Sequence, residues 1–300
     1  VTYTLEWYDE PRAFLDRAGA WLDADPVVTT VVGSVAVRAV EDDEAGRPVG
    51  DHPRWWVVAA DERGEVVGVA MRTAPFAPHP LYALPMPDVA ARELGRALRA
   101  RGEAITAVNG ALPAVELVAT ELAAGTGTVR VHEGMRLHVV DDLAALVEPD
   151  RPGRARLATA ADEEVAFAWF TAFHHDAAVQ AGRDPAGETE VFEGGEVQAR
   201  VESGRVWLWE DADGVPVSLV AHNPSAGGVV RIGPVFTPPE QRGRGWAGAL
   251  TAHVTRRILE DGDLACLFTD VDNPVSNHVY AAIGYRAVVD MANLVIEPPN

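Results

Sequence analysis

The 300-residue chain contains no lysine; all 25 of its basic residues are arginine. A phosphate loop of the form G-x-x-x-x-G-K-[ST] depends on a lysine ammonium, so that way of holding a nucleoside triphosphate is excluded. There is one cysteine, Cys266, which excludes an intrachain disulfide and a cysteine-built zinc site. It lies in the apolar run LACLFTDV and reads as a buried strand residue. Long apolar runs are missing: the strongest early one, VVTTVVGSVAV, is too short to span a bilayer. Positive charge is outweighed, with 45 acidic residues and a formal net charge of −20. A surface of that sign repels nucleic acid and anionic membranes, so neither is expected as a partner. His174 and His175 are adjacent in sequence, not at the i, i+4 spacing of helix ligands, so no metal is expected. The opening residues VTYTLEWYDE lack the pattern of a secretory leader, and a cytoplasmic location is expected.

What the chain does contain is a rhythm repeated twice. A Pro/Gly/Arg-rich stretch, VEPDRPGRAR (Val147–Arg156), reads as a linker and divides the sequence into domains 1–150 and 151–300. In the second half, RARLATA reads as a short strand and Asp162–Ala178 as a helix. AGRDPAGETE reads as a loop and VFEGGEVQARVESG as a short helix. RVWLWED and VPVSLVAHN form a hairpin around DADG. GGVVRIGPVFT is a strand. Ala247, Leu250, Val254 and Ile258 recur at helical spacing, ACLFTDV is a buried strand, and NPVSNHVYAAIGY is a helix stopped by Gly284. YRAVVDMANLVIE closes as strand. The first half repeats much of this order, with a hairpin around DERG in RWWVVAADERGEVVGVAMRTAP. The fold class expected is α+β with a mixed sheet, as two related units. The acidic stretch Glu41–Arg54 reads as a charged loop that either faces a cationic substrate or is simply solvated.

The chemistry concentrates in PPEQRGRGWAGAL (Pro238–Leu250), a loop that opens a helix behind two prolines. A helix N-terminus offers unpaired N–H groups and a partial positive charge to phosphate, and glycines let a ligand approach the backbone. Gly243, Gly245 and Gly248 match the dinucleotide fingerprint G-x-G-x-x-G, with Asp270 at the end of the next strand. That fingerprint begins directly at a strand's end, whereas Thr237–Arg242 intervene here, so an NAD(P) oxidoreductase is the weaker reading.

Arg242-Gly243-Arg244-Gly245-Trp246-Ala247 resembles the R/Q-x-x-G-x-G/A acyl-CoA loop of the GCN5-related N-acetyltransferases. Asn273, Asn277, Tyr280 and Ile283-Gly284-Tyr285 resemble that family's second motif, N…A…Y…G-F/Y, with Ser276 where alanine is frequent. Both motifs occur in order, and the wording is most similar to the FR47-like branch. The resemblance covers roughly residues 156–294. It implies two units of mostly antiparallel twisted sheet flanked by helices, the C-terminal sheet splayed at its central strands. It also implies acetyl-CoA as co-substrate and acyl transfer to a primary amine of a small molecule. Amides around Gly243, Arg244, Gly245, Trp246 and Ala247 would cradle the pyrophosphate, and Arg242 and Arg244 would add charge-assisted contacts. Backbone groups of Val235, Phe236 and Thr237 would meet the pantetheine arm beside Pro234, which has no N–H. Asn273 and Asn277 match positions that contact CoA, with helix capping as the alternative reading for Asn273 before Pro274. Tyr280 matches the general acid. A phenol of pKa ~10 stays protonated while a thiolate of pKa ~8.5 departs. The base stays open among His174, His175, His222 and Glu240. The first half carries PMPDVAARELG at the equivalent place, without the R-x-x-G-x-G spacing and with no glycine where the phosphates would need one, and is expected to be a degenerate unit that walls the acceptor site or stabilises the other. A binding or sensor protein with a decayed site keeps the loop equally well; Tyr280 favours the enzyme.

Overall fold

The computed structural model describes residues 2–125, 127–180 and 194–298. The expected loop AGRDPAGETE lies outside them. The chain forms two compact units: Val1–Arg136 with Val289–Asn300, and Leu137–Val288. The division therefore does not fall at 150/151. The stretch expected as a linker belongs to the second unit, where the Val147 N–H donates to the Ile283 carbonyl and Pro152 O accepts from Trp209 Nε1 at 3.0 Å.

In the first unit, strand β1 (Thr4–Tyr8) is followed by helices α1 (Pro11–Ala24) and α2 (Thr30–Glu44). Strands β2 (Trp55–Ala60), β3 (Val66–Arg72) and β4 (Leu81–Ala83) lead to α3 (Asp88–Ala100), β5 (Ala107–Ala111), α4 (Ala114–Ala123) and β6 (Thr128–Val140), which from Leu137 on belongs to the second unit. Strands β1 to β4 are successively antiparallel, and β4 runs parallel to β5. Both faces of the sheet are covered, so β2 is buried at every position. Trp56 and Val58 meet Phe14, Ala18 and Val32 of α1 and α2; Trp55 and Val57 share the other core with Leu94, Leu98 and Val118 of α3 and α4. The run VVTTVVGSVAV lies mostly in α2, despite its β-branched residues, because Val32 and Ala36 are one turn apart on a face that this core buries.

The second unit repeats the order. Strand β7 (Arg154–Leu157) precedes α5 (Glu163–Gln180) and α6 (Gly194–Glu202). Then come β8 (Val206–Glu210), β9 (Pro216–His222), β10 (Val229–Phe236), α7 (Trp246–Glu260), β11 (Leu264–Asp270), α8 (Pro274–Ala282) and β12 (Arg286–Glu297). The sequence β-α-α-β-β-β-α-β-α-β thus occurs twice. Strands β7 to β10 are antiparallel neighbours and β10 runs parallel to β11. Helices α5 and α6 cover one face through Ala166, Phe170, Val197 and Val201; α7 and α8 cover the other through Leu250, Val254 and Tyr280. Strand β12 starts in the second unit and ends in the first, where Met291–Val295 pair with β5.

Arg156 on β7 joins Asp162 and Glu210, whose side chains are each about 10% exposed. Asp162 also accepts from the Thr159 N–H and hydroxyl, closing a capping box before α5. The Arg156 guanidinium, foremost, holds the Asp162 carboxyl well below its ordinary range, and together with Arg154 it lowers that of Glu210. The acidic stretch Glu41–Arg54 is not simply a loop: its first residues complete α2, Asp43 pairs with Arg54 at 2.8 Å and Asp42 with Arg47 at 2.6 Å. Two of its acidic charges therefore have partners within the stretch.

Candidate functional site

Strand β10 pairs with β11 only from Val229–Leu264 to Ile232–Leu267. Beyond that point β10 stays with β9 through Val235–Val220 and Phe236–Leu219, after a register shift between Ile232 and Val235. Gly233, at φ 151°, and Pro234 occupy the shift. Proline brings no N–H to a ladder, so the regular pairing ends there. Strand β11 nevertheless runs on to Asp270, and the two central strands part. The expected splay is present. Buried Ser218 secures the exit of β10: its hydroxyl donates to the Phe236 carbonyl at 3.1 Å and lies 2.9 Å from the Thr237 hydroxyl.

After a short turn at Pro239–Gln241 comes the glycine loop. Gly243 and Gly245 lie at φ 75° and 82°, in the left-handed region that disfavours side chains, which explains glycine at both. Gly245 is the N-cap of α7 and no side chain caps that end; the first helical bond runs from the Ala249 N–H to the Gly245 carbonyl. The N–H groups of Trp246, Ala247 and Gly248 thus face out of a 15-residue helix at its positive end. Gly248 has a packing role: a Cβ there would come within 3.3 Å of Val279 on α8.

The arginines divide. Arg242 turns away from the helix end: its Nε donates to the Thr237 carbonyl at 2.9 Å, its guanidinium lies over the Phe236 ring, and it pairs with Asp176 of α5. Arg244 is exposed and makes one long contact, 3.4 Å, to the Glu240 carbonyl. Arg151, which lies outside the motif, sits against Gly245, where a Cβ would come within 2.5 Å of its Nε.

Tyr280 is about nine-tenths buried and shares a core with Trp246, Leu250 and Ile232, with Val235 packed against it. Its hydroxyl hydrogen-bonds to no described residue, in contrast to the neighbouring Tyr285, whose hydroxyl lies 2.7 Å from that of Thr255. Burial pushes the Tyr280 phenol well above its ordinary value. Phe236 faces the opposite side, toward Trp169 of α5 at 6.1 Å. Val235, Trp246 and Tyr280 are therefore brought together, while Phe236 and Arg242 face α5.

The two asparagines are engaged by the turn between β11 and α8. Asn273 caps α8, accepting from the Ser276 N–H at 3.1 Å. Asn277 donates to the carbonyls of Asp270 at 2.9 Å and Asn273 at 2.8 Å, and accepts from the Thr269 hydroxyl at 2.7 Å. Thr269 in turn lies 3.0 Å from Nε2 of buried His138. Since the Thr269 proton goes to Asn277, His138 is the donor in that contact. Ser218, Thr269, His138 and Arg151 escaped the sequence reading, because each comes from outside the motifs.

Of the candidate bases, His222 places Nδ1 2.9 Å from the Asn223 carbonyl and is held below its ordinary pKa by burial. His175 is exposed beside Asp176, His174 packs on Phe173, and Glu240 is exposed. Among the described residues no group of three or more His, Cys, Asp or Glu is placed to hold a metal, and no helix is long and apolar enough to cross a membrane.

The first unit differs at the equivalent place. All of β4 pairs with β5, from Leu81–Val108 to Ala83–Gly110, so these strands do not part. Helix α3 opens on Asp88 behind Pro87, which sets negative charge where phosphate would need a donor.

Helices over both faces of a mixed sheet, two parting central strands and an uncapped glycine-bounded helix end define the GCN5-related N-acetyltransferase fold, here in tandem. Residues 219–293 match the family model of FR47-like proteins, the branch that the motifs resemble. Among solved structures, a GCN5-related N-acetyltransferase from Sphaerobacter thermophilus superposes with a TM-score of 0.63 at 18% identity, over 99% of this chain and 96% of that one. A Drosophila protein gives 0.65 at 17% identity over 99% of both chains. A tandem GNAT protein from the clavulanic acid biosynthesis pathway gives 0.51 at 13%, over 99% and 100%. No curated protein matches the sequence significantly.

Proposed function

We propose that the second unit transfers an acyl group, most simply acetyl, from acyl-CoA to the primary amine of a small molecule by direct attack. The observation that carries this reading is the uncapped start of α7 behind Gly243 and Gly245, in one unit with the parting of β10 and β11 and with a Tyr280 hydroxyl that no described residue engages. The first unit, with Asp88 at its corresponding helix end, is read as the non-catalytic half.

In the reaction the amine nitrogen bonds to the thioester carbon as the carbon–sulfur bond breaks and its electron pair leaves on sulfur. Tyr280 gives its proton to that sulfur, and the proton shed by the nitrogen returns to solvent, from which the phenolate is restored. Free amide groups along the unpaired edge of β10 near Val235 would stabilise the carbonyl oxygen as it gains charge. Burial keeps Tyr280 protonated through the neutral range, so it imposes no alkaline limb on the rate below about pH 10.

The test is a screen of primary amines with acetyl-CoA, on the wild type and on Tyr280→Phe. For an enzyme of this kind kcat falls about a hundredfold in the variant while the acetyl-CoA Kd holds. Binding of acetyl-CoA without turnover of any amine favours a sensor. Binding of NADH in its place overturns the reading.

A further inference from the structure

Residues 141–153 form a strap along α7. Glu148 pairs with Arg256 near the helix C-terminus. The Val147 N–H bonds to the Ile283 carbonyl. Further on, the Pro152 carbonyl accepts from Trp209 Nε1 at 3.0 Å, and the Trp209 ring stacks on Trp246, the first residue of α7. The strap delivers Arg151 to the other end of the helix, with Nε, Cζ and one terminal nitrogen 2.5, 3.1 and 3.0 Å from the place a Gly245 Cβ would take. Among the described residues, the one hydrogen bond of the guanidinium is to the carbonyl of its own neighbour, Asp150, at 2.7 Å, and no carboxylate pairs with it.

Arg151 is solvent-exposed, and the helix end beside it favours an anion. The guanidinium lies at the positive end of a 15-residue helix, on a loop that also carries Arg244. Arg242, the arginine the motif points to, is neutralised by Asp176. No described carboxylate, by contrast, pairs with Arg151. We infer that Arg151 is a ligand of the acyl-CoA pyrophosphate, closing over it from the strap while the α7 amides hold it from below, and that Arg242 instead tethers the loop to α5. The inference rests on the acyl-CoA reading above. It adds a binding residue from a part of the chain that neither motif includes.

The readout is a ratio: kcat/KM with acetyl-CoA over kcat/KM with S-acetyl-pantetheine, which has the thioester but no phosphate. The ratio does not depend on the folded fraction of enzyme. Loss of a charge-assisted contact to phosphate lowers it about tenfold in Arg151→Gln, with partial recovery in Arg151→Lys. Acetyl-3′-dephospho-CoA, which keeps the pyrophosphate, shows the same loss. Arg242→Gln moves the ratio less than Arg151→Gln does. An unchanged ratio in Arg151→Gln overturns the inference while the acyl-CoA reading stands. A loss confined to the 3′-phosphorylated donor overturns the pyrophosphate assignment. A wild type that neither binds nor consumes acetyl-CoA removes the reading beneath both.

Discussion

Gly243 and Gly245 offer a matched pair of perturbations. Both stand in the left-handed region, at φ 75° and 82°, so an alanine at either incurs the same backbone penalty, about 1–2 kcal/mol. In a unit of this size that penalty lowers the melting temperature by roughly 3–6 °C. Their surroundings differ. A Cβ at 243 has nothing within 4 Å, whereas one at 245 meets the Arg151 guanidinium. That contact is with the far end of a flexible side chain, which swings aside, so it adds little to the folding cost. It does put a methyl group between Arg151 and the N-terminus of α7. The two alanine variants are therefore expected to melt alike without ligand, and Gly245→Ala to bind acetyl-CoA at least about tenfold more weakly than Gly243→Ala, the worth of one charge-assisted contact. Scanning calorimetry and titration calorimetry measure the two halves of this statement. Equal affinities would refute the placement of the phosphates at Gly245; a wild-type melting point in Gly245→Ala would refute its left-handed conformation.

Three further outcomes are expected. Because the Asp162 carboxyl is depressed in the folded chain, its stabilisation is fully present above the unfolded value near 3.8 and is lost as pH falls through the lower folded one, so urea unfolding should show the second unit weakening below about pH 4. Arg156→Ala leaves Asp162 without its guanidinium and Glu210 with Arg154 alone, and should lower the melting temperature at pH 7, a difference that shrinks on acidification as the carboxylates protonate. Asn277→Ala removes the acceptor of Thr269 and the donor to two carbonyls; it should lower the melting temperature and kcat together while the acetyl-CoA Kd stays within about threefold, a change under 1 kcal/mol. A direct role of Asn277 in holding CoA would instead raise Kd and leave the melting temperature alone.

The motifs could be read in the sequence because each states a local requirement. Glycine at 243 and 245 is what a left-handed turn needs, Pro234 ends a ladder by lacking a donor, and Asn273 before Pro274 starts a helix. The hairpins around DERG and DADG were legible for the same reason, and so was the duplicated order of elements. Helix α2 was not: its valines favour a strand in isolation, and the core beneath Val32 and Ala36 made them a helix. The division into units was hidden as well. A run of Pro, Gly and Arg looks like a linker, but only the packed structure supplies Trp209 and Ile283 as partners for its backbone.

For the site, local residue pattern was enough to name the loop that carries the glycines and the tyrosine that follows it. It did not determine where the arginines point. Arg242 and Arg151 are 91 residues apart, and nothing local distinguishes the one that Asp176 neutralises from the one a strap holds against Gly245. A side chain's partner depends on which distant segments the packed core brings within reach. Charge pairing therefore became visible only in the tertiary structure, whereas the backbone constraints of glycine and proline were written in the chain.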